Sequence, residues 1–312
     1  MSKYLLVVFG ATGNQGGSVA NYVLSDPELS KQYSVRAITR NASNPAAKAL
    51  QEKGAEIIEA DMDQPSTLPA ALSGAHTVFA VTNTTYTSNT REIQAKQAKA
   101  LCETAVSQGT QYIIWSSMSH PAKISSGKLK NVAHFDVKAE IETYIRGLPV
   151  KSAFYAPGSY MQNFFDQMAP QPAPANDGTY VVANLCSSDT QLPLIDVTDT
   201  GKWVGAILAE PEKYEGKFLA AAERLYSFKE ITEIMSRVSG KTVVYQQVPD
   251  EVFKGWLPEA FREQLSEMMV HIREYGYYGP KMKEEVEWAA KQARGELTTL
   301  GEFLKKNPLK LE

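Results

Sequence analysis

The chain has 312 residues, 43% of them hydrophobic, 21% charged and 10% aromatic, and carries a formal net charge of −3. That composition is expected of a soluble globular protein rather than a disordered or fibrous one, and the mildly acidic balance lacks the basic footprint that direct nucleic-acid binding requires. At this length one large α/β core with an appended lobe is expected, while two cysteines, Cys102 and Cys186, without a CxxC or Cys/His cluster offer no metal site and suit a reducing compartment.

The first element is an apolar run, Tyr4-Leu5-Leu6-Val7-Val8-Phe9, that passes directly into Gly10-Ala11-Thr12-Gly13-Asn14-Gln15-Gly16 and a helix start. In this strand-turn-helix setting each glycine has a physical role. Gly10 makes the tight turn, Gly13 lets backbone approach a pyrophosphate, and Gly16 lets helix pack on strand. Amides at the helix start can then hold a phosphate, so Thr12, Asn14 and Gln15 join the glycines as cofactor-binding candidates. The run is too short to span a membrane and no charged-then-apolar leader precedes it, so a cytoplasmic protein is expected, with nuclear entry unmarked.

Short β-branched runs then alternate with amphipathic stretches. Strands are predicted at 34–39, 56–60, 77–81, 112–115 and 151–155, and helices at about 45–53, 66–73, 90–108 and 133–146. Such alternation calls for a Rossmann-type, doubly wound parallel sheet over residues 1–155. Beyond it, 156–312 reads as a smaller α+β lobe with some segments returning to the sheet. There Pro170, Pro172 and Pro174 interrupt a loop, and Asp177-Gly178 marks a turn. Asp199 is expected to cap a helix at 200–210, and Ser227 with Glu230 to form a capping box for 228–239. Strands are expected at 218–222 and 243–248, helix over most of 250–272, and a solvated lysine-rich tail after Leu304.

The second strand ends in arginine, Val35-Arg36-Ala37-Ile38-Thr39-Arg40-Asn41, where an NAD-preferring fold usually places a carboxylate for the ribose 2′-hydroxyl. A guanidinium at Arg40 can grip a 2′-phosphate by two hydrogen bonds, which favours NADP(H) over NAD(H); Arg36, inside the strand, is the poorer candidate. Asp61 and Met62 follow the third strand, where loop groups reach an adenine, and Thr82 and Asn83 end the fourth at the ligand-binding edge.

Reductases of this fold commonly move protons through a Tyr-x-x-x-Lys pair, the lysine lowering the pKa of the phenol. Here the matching helix reads Ala133-His134-Phe135-Asp136-Val137-Lys138. The lysine is present and the tyrosine is a histidine. His134, Lys138, Ile141 and Ile145 share one helical stripe, which turns Lys138 inward to meet a ribose hydroxyl; His134 either donates a proton or only packs. Ser116 and Ser117 occupy the place of the catalytic serine, with Ser117 the candidate for the role. Tyr155, Pro157, Gly158, Tyr160 and Asn163 follow the next strand as candidates for lining the nicotinamide pocket.

These blocks resemble the NmrA-like family of atypical short-chain dehydrogenase/reductases, its NADPH-sensor branch in particular. VFGATGNQGGSVA, VRAITRN, TVFAVTN, AHFDVKAEIE and PGSYMQNF carry the likeness. The resemblance implies an NAD(P)-binding Rossmann domain, no catalytic tyrosine, and in regulator members a redox-sensing role exercised through protein partners. It also implies Gly10, Gly13 and Gly16 on the pyrophosphate, Arg40 on the 2′-phosphate and Lys138 near the nicotinamide ribose. A neighbouring branch, similar to isoflavone-reductase-like enzymes, uses a catalytic lysine in a Phe-x-x-Lys helix, and Phe135-Asp136-Val137-Lys138 has that shape. The leading expectation is therefore an NADP(H)-sensing regulator with a protein partner and a possible homodimer. The alternative is an NADPH-dependent reductase of a small carbonyl, imine or quinone, with Lys138 or His134 handling the proton and Ser117 or Tyr160 positioning the substrate.

Overall fold

The computed structural model describes residues 2–84, 89–175 and 177–311. In its first half, β1 (Tyr4–Val8), α1 (Asn14–Ser25), α2 (Leu29–Gln32), β2 (Tyr33–Thr39), α3 (Pro45–Glu52), β3 (Glu56–Glu59), α4 (Leu68–Leu72), β4 (Thr77–Ala80), α5 (Thr90–Ser107), β5 (Tyr112–Ser116), α6 (Pro121–Ile124), α7 (Ala133–Arg146) and β6 (Lys151–Pro157) alternate strand with helix. The second half contributes β7 (Ser159–Tyr160), β8 (Gln171–Pro172), β9 (Tyr180–Asn184), β10 (Gln191–Ile195), α8 (Thr200–Ala209), α9 (Pro211–Tyr214), β11 (Phe218–Ala221) and β12 (Arg224–Ser227). It ends with α10 (Phe228–Ser239), β13 (Val243–Gln247), α11 (Asp250–Trp256), α12 (Arg262–Tyr275), α13 (Met282–Ala290) and α14 (Leu300–Lys306).

Seven strands form one parallel sheet in the order β11-β6-β5-β4-β1-β2-β3. The chain order reverses between β1 and β4, and the crevice beyond their carboxyl ends is where open α/β sheets bind ligands. Both faces are covered, as a parallel sheet requires. One face packs Val19, Val23, Trp203 and Ile207 from α1 and α8, and the other packs Leu101, Val137, Ile141 and Ile145 from α5 and α7. Two three-stranded sheets, β12-β10-β7 and β13-β9-β8, form the lobe around a core that includes Phe164, Phe228, Ile231 and Met235.

The chain does not divide cleanly at residue 155. β6 continues to Pro157, β11 adds the edge strand beside it, and α8 packs on α1. Two added Cβ atoms measure the closeness of that helix pair: one on Gly201 would lie 2.4 Å from Tyr22 Cβ, and one on Gly205 2.5 Å from Tyr22 Cε1.

Four local expectations gain detail, and some are corrected. Asp199 takes the N-cap position of α8 as expected, but its side chain makes no cap bond: Asp196 caps a preceding 3-10 turn by accepting from Thr198 N, and the Asp199 carboxylate takes Thr298 N at 2.7 Å and Lys202 Nζ at 2.6 Å. Ser227 accepts from Glu230 N, but the Glu230 carboxylate turns to Arg224 rather than completing the box. Most of 250–272 is helical as expected, interrupted only at Leu257-Pro258, because the residue before proline is pushed out of the α region. The tail is not simply solvated: Leu309 and Leu311 pack on the lobe core. No helix among the described residues is long and apolar enough to cross a membrane.

Candidate functional site

A cavity of about 1570 Å³ opens along the carboxyl edge of the sheet and runs from the first turn into the lobe. At one end lies the glycine turn. Gly10 has φ +65°, a left-handed conformation open to glycine at no cost, and a Cβ on Gly16 would stand 2.4 Å from Gly10 O. Backbone therefore meets backbone where α1 begins. Gly13 is the N-cap and offers no side-chain acceptor, and the first turn of α1 holds no acidic residue. The opening amides face the cavity beside Thr12, Asn14 and Gln15, which leaves the positive end of the helix dipole available to an anion.

The two arginines of the second strand have different fates. Arg36 is spent on structure: its Nε pairs with Glu56 at 2.7 Å, and its Nη1 donates to the carbonyls of Ala71 and Ser73 at 3.0 and 2.7 Å. Arg40 lines the cavity, exposed, with no hydrogen-bond or ion-pair partner among the described residues. Asp61 and Met62 form the facing rim, where an Asp61 carboxylate oxygen accepts from Asp63 N at 3.0 Å and shapes the turn.

In the middle of the cavity, Lys138 of α7 is 8% exposed and reaches the segment that follows β4. Its Nζ donates to Thr82 O at 2.8 Å and to Thr82 Oγ1 and Gln94 Oε1 at 3.1 Å each. Desolvation pulls its pKa down from the lysine range to about 7. Trp115 fixes the helix at this level, its indole N–H donating to Lys138 O at 3.0 Å. Asn83, one residue on from Thr82, is exposed in the cavity wall.

His134 also lines the cavity, but it is set up as a neutral packing group. Burial and the Lys138 charge push its pKa down to about 3. Its Nδ1 accepts from Gln264 Nε2 at 2.6 Å, which assigns the ring proton to Nε2, 3.4 Å from Met268 Sδ. A histidine held this way does not donate protons near neutrality.

Ser117 and Tyr155 do not line the cavity. β5 ends at Ser116, and alternation along the strand sends neighbouring side chains to opposite faces. Ser116 Oγ donates to Gln15 Oε1 at 2.7 Å, and Gln15 Nε2 donates to Tyr160 Oη at 2.6 Å, tying α1, β5 and β7 across the cavity. Ser117 faces α7 instead and donates to Glu142 at 2.5 Å. Tyr155 lies against α8, its hydroxyl 2.9 Å from Thr200 Oγ1 and its ring near Trp203. Pro157, Gly158 and Asn163 line the cavity; Gly158 is also required by packing, since a Cβ there would lie 2.6 Å from Pro193 O.

The lobe end of the cavity is formed largely by residues that carry no local sequence signature, among them Met118, Phe253, Trp256, Met268 and Met269, with Phe135 of the Phe-x-x-Lys helix beside them. Gln94 and Trp115 are likewise silent in sequence. The one signal for Gln94 is its position on the buried stripe of the helix at 90–108, where an uncharged polar side chain needs a partner.

The NmrA-like family matches residues 2–304. An NmrA-like family domain-containing protein of Dictyostelium discoideum is 30% identical over the whole of both chains. An NmrA-like family domain-containing oxidoreductase of Aspergillus campestris is 29% identical over 83% of this chain and 80% of its own. Among solved structures, NmrA, a negative transcriptional regulator crystallised in complex with NADP, superposes with a TM-score of 0.80 at 24% identity, over 98% of this chain and 96% of its own. Triphenylmethane reductase of Citrobacter sp., complexed with NADP(H), gives 0.75 at 23% identity, over 97% and 99%. With its seven-stranded parallel sheet, its glycine turn opening α1 and this match along nearly the full length, the chain belongs to the NmrA-like family.

Proposed function

We propose that the chain is an NADP(H)-dependent oxidoreductase that binds the nucleotide along the glycine turn and reduces an organic substrate in the lobe half of the same cavity. The observation that carries this is continuity: one space joins the first turn of α1 and the Arg40 guanidinium to an apolar chamber, with Lys138 in its wall. The residues fit the nucleotide. Uncapped amides, a glycine contact that admits no side chain and an unpaired guanidinium are what a pyrophosphate and a 2′-phosphate need. Relatives named as oxidoreductases, and complexes of NmrA with NAD or NADP and of triphenylmethane reductase with NADP(H), support the nicotinamide assignment.

A bound reduced nicotinamide supplies a hydride. The chain supplies the rest. Lys138 is a buried cation whose side chain meets no carboxylate among the described residues, so its field favours the negative charge that develops on a substrate heteroatom. With a pKa near 7 it can also exchange a proton at physiological pH. Redox sensing through a protein partner shares the cofactor half of this function. The open chamber beside the lysine favours the reductase reading, since a reductase needs room for a substrate there.

Lys138→Met is the test. NADPH oxidation is expected to fall about 100-fold or more in kcat, while calorimetry still shows saturable NADP+ binding, weakened far less than turnover. Unchanged turnover would remove the lysine from the chemistry. An absence of NADPH oxidation by the wild-type chain across carbonyls, imines and quinones would leave binding without catalysis.

A further inference from the structure

We infer that the lobe half of the cavity is a site for a bulky, uncharged aromatic substrate, larger than a simple carbonyl, with α11 as its outer wall. This rests on the oxidoreductase assignment and adds the substrate class. Size is the first observation. The cavity, at about 1570 Å³, exceeds the roughly 300–1,000 Å³ that suffices for one small ligand, and its lobe end is built from elements that take no part in the glycine turn.

The lining is the second observation. Met118 and Met269 are buried there, Met268 sits against His134, and Phe135 meets the Tyr277 ring edge-on at 5.3 Å. Thioethers adapt to irregular shapes and favour aromatic rings, so a methionine-rich wall suits flat, variable aromatic ligands. Charge is the third. Among the described lining residues from 157 onward, Asp166 alone is charged, and it is exposed. An anionic substrate group lodged among these residues would lose its hydration with no cation among them to replace it; Lys138, held by Thr82 and Gln94, lies in the middle of the cavity instead. The neutral His134 adds none.

The outer wall is half-finished. Trp256 lines the cavity yet is 57% exposed, beside Phe253 at a ring separation of 6.4 Å. A planar ring system placed against this pair would cover them. In the reaction, a polarised C=O, C=N or C=C bond of the substrate gains a hydride on carbon from NADPH and a proton from solvent on the other atom, and NADP+ is left: a two-electron reduction.

The experiment uses the full chain saturated with NADP+, which cannot deliver hydride, titrated with 9,10-phenanthrenequinone. Tryptophan fluorescence and calorimetry are read in parallel. Anthraquinone-2-sulfonate and butane-2,3-dione serve as the charged and the small comparators. The quinone is expected to bind saturably, and both comparators about tenfold or more weakly. Trp256→Phe should lose part of the quenching while keeping calorimetric affinity, because Trp203 lies in the core and Trp288 on α13, whereas Trp115, 6.0 Å from Lys138 Nζ, keeps its share. Phe253→Ala should weaken binding about tenfold. Equal affinity for either comparator, no effect of Phe253→Ala, or no quinone binding would overturn the inference. Calorimetry with NADP+ alone separates the two failures. If NADP+ does not bind, the cofactor assignment falls, and the same titration of the nucleotide-free chain still decides the substrate class.

Discussion

Arg36 and Arg40 differ little in sequence and wholly in situation. One is locked to Glu56 and two carbonyls, whereas the other, at the cavity rim, has no partner among the described residues. A guanidinium with no partner retains its capacity for a doubly charged phosphate, so the proposed preference for NADP(H) rests on position 40. The glycines and Arg40 are legible in sequence because backbone and strand-end positions follow from local pattern. Ser117 and Tyr155 fall outside the cavity for a reason of parity: near a strand end, one residue decides which face of the sheet a side chain meets. Lys138 is readable as inward. Its partners Thr82 O and Gln94 Oε1, 56 and 44 positions away, are not.

His134 gives a pH prediction at this scale. Its folded pKa, about 3, lies below the unfolded value of 6.5. Between those values the unfolded chain binds a proton that the folded chain refuses, so folding stability falls as pH drops below 6.5. The limiting slope is about 1.4 kcal/mol per pH unit. Denaturant titrations between pH 6.5 and 5 should show His134→Phe losing less stability than wild type by that slope. Parallel curves for the two proteins would show that the folded histidine titrates normally.

At the scale of elements, α1 is gripped from two sides. Gly16 lets it meet β1 and the first turn, and Gly201 of α8 lets it meet a helix from the second half of the chain. Gly16→Ala and Gly201→Ala should each cost about 1–3 kcal/mol by overpacking. Only Gly16→Ala should abolish nucleotide binding, since it displaces the turn itself. Thermal unfolding and calorimetry on both variants check this, and a loss of nucleotide affinity in Gly201→Ala would show that the α8 contact also sets the phosphate site. Strands and helices of the sheet are readable from periodicity. The end caps around Asp199 and Glu230 are not, because Thr298, Lys202 and Arg224 compete for the same carboxylates.

For the whole molecule, the second half of the chain does more than append a lobe. β11 completes the large sheet, α8 covers one face of it, and β9, α11 and α12 close the far end of the cavity. The chamber is not readable from sequence, because Met118, Phe253 and Met269 come from distant segments and apolar residues look alike in a core and in a pocket. The fold therefore joins two ends with different chemistry, the uncapped glycine turn and the Arg40 guanidinium at one and an apolar lining at the other.

The most direct measurement is calorimetric binding of NADP+ and NAD+ to the wild-type chain and to Arg40→Glu. Wild type should bind NADP+ about tenfold or more tightly than NAD+, and the substitution should erase that margin by weakening NADP+ while leaving NAD+ nearly unchanged. Equal affinities in the wild type, or a preference that survives Arg40→Glu, would contradict the account.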